Sequence, residues 1–158
     1  MDPNNIPAPR FDTAELKILF EQFEAENETI SFLLKAHLFS EYHLDRLLAA
    51  YLGKKREPLD AIDLRFAQKL SLVDSFGLLP QSCIRSLRVL NKLRNKCVHN
   101  FDTRPSVEDV RQVTDELDPF VPRAESINSV PELLKAYMAS LFGYVSASYD
   151  LSAKQQGA

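Results

Sequence analysis

Apolar side chains in this chain recur every three or four positions and not every two, a spacing that fits helices with one buried face. Only four glycines are present, and no dipeptide of the kind that closes a β-hairpin occurs, so strands would lack both their alternation and their turns. The expected fold class is therefore all-α. Short connections make an up-and-down bundle of five to six helices the economical architecture.

The start and stop signals divide the chain. Residues 1–10, with three prolines, read as an extended arm, residues 11–149 as one bundle domain and residues 150–158 as a flexible tail. Asp12 or Thr13 can cap a first helix to about Asn27, and Glu28 to Leu52 reads as a long second helix stopped by Gly53. Asp60 can cap a third, ending at Phe76 before Gly77. Pro80 begins a fourth that runs to about His99. Ser106 with Asp109 makes a capping-box start for a fifth helix to about Phe120, and Val130 to Ser148 reads as a sixth.

With 158 residues and 45% hydrophobic side chains, one domain can bury a core without disulfides or metals. Nineteen basic against 22 acidic residues leave no global positive field, so any nucleic-acid binding must be local. Cys83 and Cys97 lie on one predicted helix, ~21 Å apart along its axis, too far to bridge each other. Met1-Asp2-Pro3-Asn4-Asn5 has neither a basic n-region nor an apolar h-region, and no long uncharged apolar run occurs. A cytoplasmic protein with packed thiols and no membrane span is expected.

Charges intrude on two apolar faces. On the fourth helix Cys83, Leu87, Leu90, Cys97 and Val98 share a stripe, and Arg94 falls near its middle. On the second, Ile30, Leu33, Leu34, Leu44, Leu48 and Leu52 form a face into which His37, Glu41 and Asp45 are set, while His43 projects away toward the surface. An unpaired buried charge costs several kcal/mol, so Glu41, or failing that Asp45, is the expected partner of Arg94. His37, Glu41 and Asp45 at i, i+4 and i+8 also resemble a metal-ligating face, but no clear fourth ligand accompanies them, and neither metal nor other cofactor is expected.

The opposite face of the fourth helix carries Arg85, Arg88, Lys92 and Lys96 in one line, with His99 projecting toward it and Asn95 one turn behind. No acid interrupts this helix. The stripe reads either as an ordinary solvated face or as an RNA-binding track for phosphates.

Arg94-Asn95-x-x-x-His99 resembles the R-x4-6-H signature of HEPN domains. The wider run from Phe66-Ala67-Gln68-Lys69-Leu70 through Gly77-Leu78-Leu79-Pro80 to Leu90-Asn91-Lys92-Leu93-Arg94-Asn95 is similar to the group of that superfamily containing mannitol-operon repressors. The resemblance covers roughly residues 28–101. It implies a HEPN-like helical bundle and, in many members, a metal-independent endoribonuclease that works as a homodimer with the two motifs facing each other. Phe101 stands where some toxin members carry tyrosine, so the hydroxyl of that subgroup is missing here.

Metal-free RNA cleavage needs a group that takes the 2′-hydroxyl proton, one that protonates the leaving 5′-oxygen, and cations that hold the developing charge. His99 and Arg94 suit these roles, and Asn95 can hydrogen-bond the imidazole or the phosphate. One histidine cannot begin in both protonation states, and a second copy of the chain would supply the other. The function that the resemblance implies is a homodimeric ribonuclease with a toxin or RNA-regulatory role, whose partners are RNA and a protein, either an antitoxin or a regulator. The alternative is a non-catalytic regulatory or scaffold protein of the mannitol-repressor type that binds a protein partner.

Overall fold

Five helices are described, α1 (Thr29–Leu52), α2 (Phe66–Ser75), α3 (Gln81–His99), α4 (Val107–Asp115) and α5 (Val130–Gln156), and there is no strand among the described residues. The structure, a computed structural model, describes residues 29–53, 63–100, 103–117 and 126–156, the last five as backbone alone, together with Ala14 and Lys17, which are helical. The extended arm expected at 1–10 and most of the first expected helix lie outside these residues.

The caps show why the helices begin and end as they do. Gly77 takes φ +64°, a left-handed conformation that favours glycine, and closes α2 with two bonds, Gly77 N–H to Asp74 O and Leu78 N–H to Val73 O, both 3.0 Å. Gly53, which follows α1, takes the same left-handed conformation with φ +51°. Ser106 opens α4 with its hydroxyl accepting from Asp109 N–H at 3.1 Å, while the Asp109 carboxylate accepts from Ser106 N–H at 3.0 Å, the reciprocal box legible in the sequence.

Three boundaries differ from expectation. Asp60 lies outside the described residues, residues 63–65 are not helical, and α2 opens only at Arg65, whose extended backbone and N–H bond to the Gln68 side chain make the cap. Helix α4 stops at Asp115 instead of continuing to Phe120. Helix α5 continues through the expected tail to Gln156, because apolar residues persist at helical spacing as far as Tyr149.

Contacts between helices give their relative directions. His37 meets Phe66, Glu41 and Asp45 meet Lys69, and Tyr51 stacks on Phe76, so α1 and α2 run in the same sense. Ser40 meets Tyr137 and Arg46 meets Tyr149, so α1 and α5 do too. Antiparallel neighbours are α2 with α3 and α3 with α4, where Lys96 meets Asp109 and Arg85 meets Glu116. The core they enclose includes Leu33, Leu44, Ile84, Leu87, Leu90, Leu117, Leu133, Leu134 and Met138, each fully buried and each contributing about 1.5–3 kcal/mol by removal from water. No helix among the described residues is long and apolar enough to cross a membrane.

Candidate functional site

Helix α3 carries all three residues of the expected catalytic motif, and its burial pattern sorts them. Cys83, Leu87, Leu90 and Cys97 are buried as the stripe requires, but Val98 is 45% exposed. The stripe therefore ends before the helix does, leaving Arg94 and Asn95 half-buried and His99 exposed at the terminus. Asn100 then caps the last turn through its side-chain N–H to Lys96 O at 3.1 Å.

Arg94 does not pair with Glu41 or Asp45. Its Nη1 donates to Asn95 Oδ1 at 3.0 Å, its Nε is buried without a hydrogen-bond partner, and no carboxylate lies within ion-pair distance among the described residues. The two acids are instead held by Lys69 of α2, with Nζ 2.8 Å from Glu41 Oε1 and 2.9 Å from Asp45 Oδ2. Lys69 sits one helical turn into α2, where the parallel course of α1 brings both carboxylates to a single ammonium. Burial pulls the Lys69 pKa down, but hydrogen bonds and charge from Glu41 and Asp45 outweigh it and leave it raised. The expected pairing of Glu41 with Arg94 fails because the cation nearest it comes from α2 and not from α3.

His37, expected only as part of a metal-ligating face, is a buried neighbour of this group. It is 6% exposed, its Nε2 lies 3.1 Å from Asn91 Oδ1, and its ring lies 4.2 Å from that of Phe66. Burial pushes its pKa below the usual range. The bond to Asn91 opposes that shift, the Arg94 charge adds to it, and Glu41 opposes it. Among the described residues His37, Glu41 and Asp45 do not make a group able to hold a metal. His43, expected at the surface, is buried between Phe39, Tyr42 and Phe142, and burial with help from Arg46 lowers its pKa to about 4.

The basic stripe is not bare. Arg85 donates to Glu116 at 2.8 Å, Arg88 to Asp74 at 2.6 Å, and Lys96 lies 3.6 Å from Asp109. The acids absent from α3 are supplied by its neighbours α2 and α4, which a projection of α3 by itself cannot reveal. Of the four, only Lys92 is exposed with no acidic partner among the described residues. Cys83 and Cys97 are free and buried, and burial pushes the Cys83 thiol up to about 12 and raises Cys97 as well, so neither is a ready nucleophile.

What α3 presents, then, is a half-buried guanidinium with no counter-charge among the described residues, two carboxamides on the same side, and an exposed imidazole one turn beyond. Such a group can bind an anion and exchange a proton beside it. Comparison of the chain with protein-family models, curated proteins and solved structures finds no match.

Proposed function

We propose that this chain is a HEPN-like, metal-independent endoribonuclease that acts as a homodimer through Arg94, Asn95 and His99. The supporting observation is that Arg94 has no carboxylate partner among the described residues. A structural arginine set into a helix bundle is ordinarily matched by a carboxylate, because a lone buried charge is costly. Here the obvious carboxylate, Glu41, is engaged by Lys69, so the positive charge of Arg94 remains for an anion brought from outside.

In this reading Arg94 and Asn95 hold the scissile phosphodiester, while His99, at i+4 from Asn95, moves the proton. One copy's imidazole takes the 2′-hydroxyl proton and the second copy's imidazolium protonates the 5′-oxygen, so each needs the other. Lys92 guides the strand. The two buried free thiols suit a reducing, cytoplasmic setting.

The neutralised stripe favours a second reading, a non-catalytic regulator or scaffold that binds a protein partner, because three of the four charges available for RNA are already paired within the fold. One experiment separates the two. Purified protein is incubated with mixed RNA in EDTA. Cleavage that disappears in His99→Ala supports the ribonuclease; cleavage that persists in that variant, or is never seen in wild type, refutes it.

A further inference from the structure

Asn91, Arg94 and Asn95 stand at i, i+3 and i+4 on α3 and so share one side of the helix, all three half-buried. The Asn95 carboxamide oxygen accepts from Arg94 Nη1. Arginine offers no acceptor, so the orientation of this amide is forced: its oxygen faces the guanidinium and its amino end faces away. Asn91 repeats the arrangement with another donor, its oxygen accepting from His37 Nε2–H at 3.1 Å. His37 in turn is fixed by its contact with the Phe66 ring and by burial. Neither amino group has a hydrogen-bond partner among the described residues, and neither is sealed from solvent. Both carboxamide oxygens on this side of α3 are thus turned toward donors inside the protein, and the ends left to an outside ligand are N–H. Glu41 and Asp45, which would repel an anion, are held by Lys69.

We propose that Asn91 completes, with Arg94 and Asn95, a donor-only site for a phosphate group, and that His37 is the positioning residue that keeps the amino end of Asn91 outward. Phosphate oxygens accept hydrogen bonds and donate none at the diester level, so a surface cleared of acceptors suits them, whereas a base edge or sugar hydroxyl needs acceptors as well. The inference deepens the ribonuclease reading and rests on it for identifying the anion as the phosphodiester of RNA.

The full chain, labelled with nitrogen-15, tests this through its side-chain amide and arginine Nε–H resonances. Inorganic phosphate is titrated first, then a 2′-O-methyl dinucleotide that cannot be cleaved. The side-chain signals of Asn91, Asn95 and Arg94 shift together with one Kd. Asn91→Asp keeps the acceptor for His37 but replaces the outward donor by an acceptor, and it weakens binding about ten- to hundredfold. His37→Phe preserves the ring against Phe66 yet frees Asn91 to turn, and weakens binding less; His37→Gln, which restores a donor, recovers it. Thermal unfolding confirms that each variant is folded, and Asn91→Asp carries the test if His37→Phe is not.

Binding that moves Arg94 and Asn95 but not Asn91, binding indifferent to Asn91→Asp, or no binding of either probe overturns the proposal. The two readings fail separately. Phosphate binding as described without RNA cleavage removes the ribonuclease and leaves the site, whereas wild-type cleavage by Asn91→Asp does the reverse.

Discussion

Lys69 Nζ lies 2.8 Å from Glu41 Oε1, an ion pair across 28 residues of sequence that ties α2 to α1 and leaves Arg94 with no carboxylate partner among the described residues. Replacing Lys69 by Met leaves Glu41 and Asp45, both partly screened by solvent, with no cation between them. A destabilisation of about 1–3 kcal/mol is expected in urea unfolding. The released Glu41 then competes for Arg94, so phosphate affinity falls as well. Unchanged affinity in Lys69→Met would show that Lys69 does not insulate the arginine.

The buried pair Ser40 and Tyr137 joins α1 to α5, with Oγ and OH 2.8 Å apart and Ser40 also donating to Ala36 O at 2.8 Å. Tyr137→Phe leaves Ser40 its backbone bond and costs about 1 kcal/mol, whereas Ser40→Ala strands a fully buried phenol and costs about 1–3 kcal/mol. Equilibrium unfolding of both variants and the double mutant checks the order. Equal costs would mean that the phenol finds another acceptor.

Buried His43 makes the fold less stable in acid. With its folded pKa at about 4 against 6.5 for the free side chain, the unfolded chain binds the proton more readily between those values. Its contribution is complete above about pH 6.5, declines as pH falls, and is gone near pH 4, amounting to about 3 kcal/mol. His37, also lowered, acts in the same direction. Unfolding free energies measured from pH 7 to 4 should decline less steeply in His43→Phe. Identical slopes in the two proteins would rule out the buried imidazole as the cause.

The ion pairs of the stripe predict unequal responses to charge removal. Lys92→Gln should lower the slope of log affinity for single-stranded RNA against log salt by about 0.7, the value for one released counterion. Arg85→Gln and Arg88→Gln should change it less, since each cation already has an acid beside it. Fluorescence anisotropy over a salt series reads the slopes. Equal changes at all three positions would restore the picture of a continuous track.

Local signals carried far in this chain and pairwise ones did not. The Gly53 and Gly77 stops, the Ser106–Asp109 box and the extent of α3 depend on residues within a turn of each other, and all were readable. The helical bundle followed from periodicity for the same reason. Partners set across helices were not readable, because they depend on relative direction. The pattern of the two helices points Glu41 at Arg94, yet the parallel course of α1 and α2 puts Lys69 beside it. The pattern of its own helix points His43 to the surface, and the ring that meets it from outside that helix is Phe142 of α5. Likewise nothing within a turn of Asn91 gives it a role, since it is His37, 54 residues earlier, that gives its amide a direction.

The seam between α1 and α5 has a consequence for how the chain emerges from a ribosome. Ser40 waits 97 residues for Tyr137, and Arg46 waits 103 for Tyr149. Until α5 is synthesised, the side of α1 that it covers stays open, whereas α2 and α3, joined by the tight turn at Gly77, can pair as soon as both exist. Nascent chains arrested before Tyr137 should therefore hold the α2–α3 hairpin while α1 remains available to chaperones.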